Sequence, residues 1–123
     1  MTAHPPEPVT EPLIPMPALT PEALRAAVAN LTPSRVPAFE QDLVEAATNA
    51  QQAQSLAPLR TFVHTWGMFL AIQRRPFLAG RLRHLEEVIS EGVENPVSAI
   101  AEIRKIHAEA EASLRATAGE TAR

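Results

Sequence analysis

The stretch Ser55–Gln73, SLAPLRTFVHTWGMFLAIQ, decides the fold of this chain. Its apolar residues recur in steps of three and four, which is the period of one helical face. The main stripe consists of Leu59, Phe62, Val63, Trp66, Phe69 and Leu70. No charged residue falls between Arg60 and Arg74. Because a helix that is apolar around most of its surface is buried on most sides, we predict a buried central helix over about residues 58–73.

Local signals support this helix. Ser55 can cap its start, since a serine hydroxyl accepts a hydrogen bond from an amide two or three residues on. Pro58 then falls in the first turn, where a missing N–H costs nothing. Gly67 lies inside the helix, where glycine costs about 1 kcal/mol relative to alanine. This glycine therefore predicts the close approach of a neighbouring helix.

Length and composition restrict the fold class. The chain has 123 residues, which suffices for one domain with a real core. Alanine is abundant, glycine is rare, and no alternating stretch of strand length occurs. We predict an all-α protein, a compact bundle of about five helices around the central one. Cysteine is absent, which excludes disulfides and thiolate chemistry.

Proline divides the chain into segments. Six prolines lie between Pro5 and Pro17, so residues 1–19 are predicted to form a Pro-rich, extended or disordered arm. The arm also carries apolar residues, among them Leu13, Ile14 and Met16. It either lies back on its own bundle or docks on a partner. Residues 20–116 are predicted to form the helical domain, and residues 117–123 a disordered tail.

Caps and prolines place the other helices. Thr20 is an N-cap before the first helix, and the Arg75–Pro76 step separates the central helix from a fourth helix with Phe77 on its inward face. The fifth helix is predicted to start after the Asn95–Pro96 pair. From Ala108 onward it offers little apolar surface, so we expect this half to protrude, fray or need a partner.

The charges are unevenly distributed. The net charge is −3, but residues 46–85 contain five arginines and no acid, whereas acids outnumber bases on both sides. One interpretation is that the basic middle pairs with the acidic ends inside the bundle. The other is that an acidic end meets a basic partner.

Histidines give little support for catalysis or metal binding. His64 has no carboxylate nearby in sequence and is predicted to lie at the edge of the core. His107 with Glu111, or His84 with Glu87, would supply only half of a metal site. We expect no enzyme activity, no metal and no cofactor.

An arginine cluster permits an alternative function. Arg74, Arg75, Arg81 and Arg83 surround the turn between the third and fourth helices and could contact nucleic-acid phosphates. The acidic total charge and the lack of a recognisable module argue against DNA binding. Pairing of these arginines with acids of other helices is the preferred interpretation.

Two stretches resemble a known family. They are PMPALTPEALRAAVANLTPSRVPAFEQDLVEA (Pro15–Ala46) and SLAPLRTFVHTWGMFLAIQRRPFLAGRLRHLEE (Ser55–Glu87). Together they are similar to short actinobacterial proteins, especially of the Streptomyces type, that form a domain-of-unknown-function family. The resemblance covers about residues 13–106. It carries over no functional residues, but such proteins are similar to small partners found beside RelE/ParE-like toxins.

We therefore predict a cytoplasmic, non-enzymatic protein–protein interaction module, most specifically an antitoxin-like partner of a basic RNase-type toxin. The expected contact residues are apolar anchors of the arm and acids of the last third of the chain: Leu13, Ile14, Met16, Glu94, Glu102 and Glu109. Two alternatives stay open. One is a transcriptional regulator that binds DNA through the arginine cluster, and the other is a self-associating helical bundle. No membrane contact is expected.

Overall fold

The computed structural model of the protein describes residues 12–92 and 95–121. Within these residues the chain forms five α-helices and no strand. The helices are α1 (Pro21–Leu31), α2 (Val36–Ala53), α3 (Ala57–Gln73), α4 (Pro76–Ser90) and α5 (Val97–Thr121), with a 3-10 turn at Pro33–Arg35. The prediction of a compact all-α bundle is confirmed.

The helix boundaries follow the local signals. The Thr20 hydroxyl accepts a hydrogen bond from the Ala23 amide at 3.2 Å and caps α1. The Ser55 hydroxyl accepts from the Ala57 amide at 3.1 Å, although α3 begins at Ala57 with Leu56 in the cap position. Arg75 is extended, as expected of a residue before proline, and α4 starts at Pro76.

Helix α3 lies at the centre and contacts all four other helices. On one side, Trp66 and Phe39 pack edge to face, with ring centroids 5.1 Å apart. The indole N–H of Trp66 donates to Oδ2 of Asp42 on α2 at 3.1 Å. The Trp66 ring is buried, and its N–H has a hydrogen-bond partner. The predicted burial of the central helix is therefore confirmed.

Gly67 allows α5 and the end of the arm to approach α3. A Cβ atom at this position would lie 3.2 Å from Cδ2 of Leu114 and 3.3 Å from Cδ2 of Leu19. Any larger side chain would displace one of these leucines. The predicted close approach is therefore present, and it involves Leu19 of the arm as well as a helix.

The second half of α5 differs from the prediction. Ala110, Leu114 and Thr117 are all buried, so this half packs on the bundle. The helix continues to Thr121, through most of the segment predicted to be a disordered tail, and residues 122–123 lie outside the description. The reason is that the absent side chain of Gly67 lets Leu114 close onto α3.

The described part of the arm is a component of the domain. The Leu13 amide donates to the Arg74 carbonyl at 2.7 Å, and an Arg74 guanidinium nitrogen donates to the Ile14 carbonyl at 3.4 Å. Ile14 and Met16 pack against the core. Of the two alternatives for the arm, residues 12–19 follow the first and lie back on the bundle. Residues 1–11 lie outside the description.

Two apolar residues at helix starts are exposed, and one of them, Phe77, was predicted to point inward. Phe77 is 59% exposed and Val97 is 71% exposed. Both stand in the first turn of a helix, at the edge of the bundle, where the opposite helix no longer covers the apolar stripe. The period of the pattern identified the correct face, but the ends of the helices extend beyond the core.

Candidate partner-binding groove

An open groove lies between the beginning of α3 and the end of α5. Its volume is about 510 Å³. The seven lining residues without a charged or imidazole group are Leu19, Pro21, Leu56, Leu59, Val63, Leu114 and Ala118. We call this surface the α3–α5 groove. It combines residues from the arm, α1, α3 and α5, which are far apart in the sequence.

The floor of the groove is formed by buried and half-buried residues, and its mouth by an exposed one. Leu114 is buried, and Leu59 and Val63 are half-buried parts of the core stripe. Leu56 stands at the mouth with 62% of its surface exposed, because it occupies the cap position just before the first turn of α3. The apolar stripe of α3 therefore extends through Leu56, beyond the residues that α5 covers.

Charged and polar groups form the rim. Nε2 of His64 lies 2.6 Å from Oε1 of Glu111, and Arg115 lies 3.5 Å from the other oxygen of the same carboxylate. Arg60 lines the groove on the α3 wall and has no ion pair among the described residues. The rim therefore has two arginines against one glutamate, an excess of positive charge.

The rim pair was missed by sequence reasoning. His64 does face a carboxylate, but Glu111 is 47 residues away in the chain. In the sequence, Glu111 lies one turn from His107, a spacing that suggests only half of a metal site, whereas in the structure Glu111 pairs with His64 and Arg115. His64 is exposed at the surface and not at the edge of the core. Only the packing of α5 on α3 brings the two together, so no local signal could have indicated it.

The lining of the groove combines apolar side chains with a few charged groups. Among the described residues that line it, none has a hydroxyl or thiol that the His64–Glu111 pair could activate as a nucleophile. Among residues 12–92 and 95–121, no group of three or more His, Cys, Asp or Glu could hold a metal ion. What the groove offers is exposed apolar surface with charges at its edge, which is the composition of protein contact sites.

Only one of the three arm residues predicted to contact a partner is exposed. Leu13 is 58% exposed, whereas Ile14 and Met16 are half-buried against the core of their own chain. Leu13 is the exposed one of the three because the hydrogen bonds between the arm and Arg74 fix the orientation of the arm.

The predicted acids also have different environments. Glu102 receives two hydrogen bonds from Arg81, and this pairing lowers the pKa of Glu102 below its ordinary value. Glu109 is exposed and lines a second cleft of about 400 Å³ with Arg75 and Phe77, beside the α3–α4 turn. Glu94 lies outside the described residues.

The four arginines of the cluster do not form one surface. Arg74 is only 7% exposed, and burial lowers its pKa, although a guanidinium stays charged at neutral pH. Arg81 pairs with Glu102 on α5, as the preferred interpretation expected. Arg83 is exposed, and Arg75 lines the cleft with Glu109.

The described part of the chain is a small all-α bundle with an open, mostly apolar groove. No helix in the described part of the chain is long and apolar enough to cross a membrane. A family model matches residues 13–111, and the chain belongs to this family of unknown function, DUF6247. No match was found among curated proteins or among solved structures.

Proposed function

We propose that the protein is a cytoplasmic, non-enzymatic protein–protein interaction module that binds its partner through the α3–α5 groove. One observation carries this proposal. An apolar groove of about 510 Å³ is open to solvent, with Leu56 at its mouth mostly exposed. Contiguous exposed apolar surface with a polar rim is a mark of interaction sites.

The residues of the groove favour binding over catalysis. Leucines, a valine and a proline supply surface that gains free energy when water is removed, about 25 cal/mol per Å². The ion pairs at the edge are solvent-exposed, so they contribute little affinity and instead influence which partner is accepted.

We further propose an antitoxin-like role, in which the partner is a basic RNase-type toxin of an actinobacterium. RNases that bind RNA carry cationic grooves. Two of the expected contact residues, Leu13 and Glu109, are exposed and lie at the end of the bundle where α3 turns into α4. The groove lies at the start of α3 and these two residues lie near its end, so they would form a second contact area, with an apolar side chain and a negative charge for the cationic partner.

Co-purification from the native cell tests the proposal. The tagged full-length chain, at moderate salt, is expected to retain one stoichiometric protein, and Leu56→Asp is expected to release it. Val44→Asp is the matched control, because Val44 is 65% exposed on α2 and does not line the groove. Loss of the retained protein with both variants, or with neither, would contradict binding at the groove. The antitoxin-like role additionally requires that the retained protein be basic and that Glu109→Lys weaken the complex.

The two alternatives have less support. DNA binding through the cluster is weakened by the burial of Arg74 and by the pairing of Arg81 with Glu102. It predicts a gel shift with an operator-length duplex that disappears steeply with salt. Self-association predicts a mass that rises with concentration in sedimentation.

A further inference from the structure

The α3–α5 groove has the dimensions of a site for a short helix. Leu56 at the cap position before α3 and Val63 on α3 span one wall of the groove, and Glu111 and Ala118 on α5 span the other. Seven helical residues at about 1.5 Å each give a length of about 10 Å, which is two helical turns. A third helix that packs on a helix pair inserts a stripe of side chains at i, i+4 and i+7 over this length.

The charges of the rim select among possible helices. Arg60 on the α3 wall has no ion pair among the residues that the structure describes, and Arg115 shares the Glu111 carboxylate with His64. Arg60 lies on the α3 wall and Arg115 on the α5 wall, and among the described lining residues only Glu111 is acidic. A helix with acids beside its apolar stripe complements this rim, whereas a helix with lysines there meets like charge.

We propose that the groove binds an amphipathic partner helix whose apolar stripe is flanked by acidic residues. This inference rests on the proposed function and specifies the segment of the partner that is recognised. The apolar stripe fills the space above Leu59, Val63 and Leu114, and its flanking carboxylates contact Arg60 and Arg115. The groove is open to solvent, which suits a helix better than a small molecule, because small molecules are buried almost completely in enclosed pockets.

Two synthetic peptides serve as probes. Both have about 20 residues, the length at which a helix is stable enough to test, with leucines at i, i+4 and i+7. One carries glutamates beside the stripe, and the other carries lysines. In fluorescence anisotropy with the full-length chain, the Glu peptide is expected to bind roughly tenfold more tightly at low salt. The difference is expected to shrink as salt screens the rim charges.

Matched variants locate the binding. Leu56→Asp is expected to weaken the Glu peptide about tenfold or more, as loss of an anchor contact does, and Val44→Asp to leave it unchanged. Arg60→Glu is expected to weaken the Glu peptide about threefold and to strengthen the Lys peptide. Arg83→Glu is the control, because Arg83 is exposed on α4 and does not line the groove. Helical circular dichroism confirms that each variant is folded.

The outcomes separate this inference from the proposed function. Absence of binding by the Glu peptide, or tighter binding of the Lys peptide, overturns the inference. So does a native dimer that Leu56→Asp dissociates, because a second copy then occupies the groove. In the first two cases the proposed function stands if Leu56→Asp still releases the native partner. If the Glu peptide binds as expected but no native protein is retained, the inference about the groove holds and the proposed function fails.

Discussion

Gly67 offers the sharpest test of how the bundle is held together, because Gly80 is a matched control in the next helix. Both glycines are inside helices, where replacement by alanine gains about 1 kcal/mol from helix propensity. A Cβ atom at Gly80 meets nothing within 4 Å, so Gly80→Ala is expected to show this gain in full. At Gly67 the new Cβ would lie 3.2 Å from Leu114 and 3.3 Å from Leu19, so the gain is partly cancelled.

Substitution by leucine makes the difference in stability between the two positions larger. Gly67→Leu forces a branched side chain into the contact with Leu114 and Leu19, and such overpacking costs about 1–3 kcal/mol. Gly80→Leu places the same side chain in solvent and keeps the propensity gain. The propensity gain is common to both positions, so we expect the two variants to differ by the overpacking cost alone, about 1–3 kcal/mol in the free energy of unfolding.

Urea titration measures this difference by helical circular dichroism, with Trp66 fluorescence as a second probe. With a slope of about 2 kcal/mol per molar urea, the midpoints should differ by about 0.5–1.5 M. In the Gly67→Leu background, Leu114→Ala is expected to restore part of the stability, since the two residues share one space. Equal midpoints for Gly67→Leu and Gly80→Leu would refute the conclusion that this glycine sets the approach of α5.

Three further predictions concern stability. Trp66→Ala should cost about 3–5 kcal/mol in urea titrations followed by circular dichroism, and Trp66→Phe clearly less, because the aromatic contacts persist. Ile14→Ala should lower the urea midpoint while Leu13→Ala leaves it unchanged, since only Ile14 packs on the core, and an equal effect of both would contradict the docked arm. The pair of Arg81 with Glu102 lowers the folded-state pKa of the carboxyl, so its contribution is present above about pH 4.3 and lost as the pH falls. Thermal unfolding should therefore show a smaller acid-side loss for Glu102→Gln than for the native chain.

Local rules predicted most of the fold. The spacing of apolar residues around Trp66 defined the central helix, and the Thr20 cap and the proline after Arg75 located helix boundaries. These signals depend on residues within one or two turns of each other, so a single sequence contains them completely. Where a helix end extends beyond the core, as at Phe77, the same period predicted burial that the neighbouring helices do not provide.

The candidate groove could not be predicted from local sequence signals. The groove requires Leu19, Leu56 and Leu114 to come together, and its rim pair joins residues 47 positions apart. Each of these residues alone resembles an ordinary helix or arm residue. Their combination depends on the crossing of α5 over α3, which hydrophobic periodicity does not specify.

The sequence by itself determined the fold class, the number of helices and the buried central helix, because propensity, capping and the helical period act locally. It also indicated that Gly67 marks a close approach. Tertiary structure decided which elements approach there, that the arm docks and that the end of α5 is packed. It also decided that Glu111 faces His64 and that an apolar groove stays open beside them. These are contacts between distant segments, and they exist only when the helices pack in one particular arrangement.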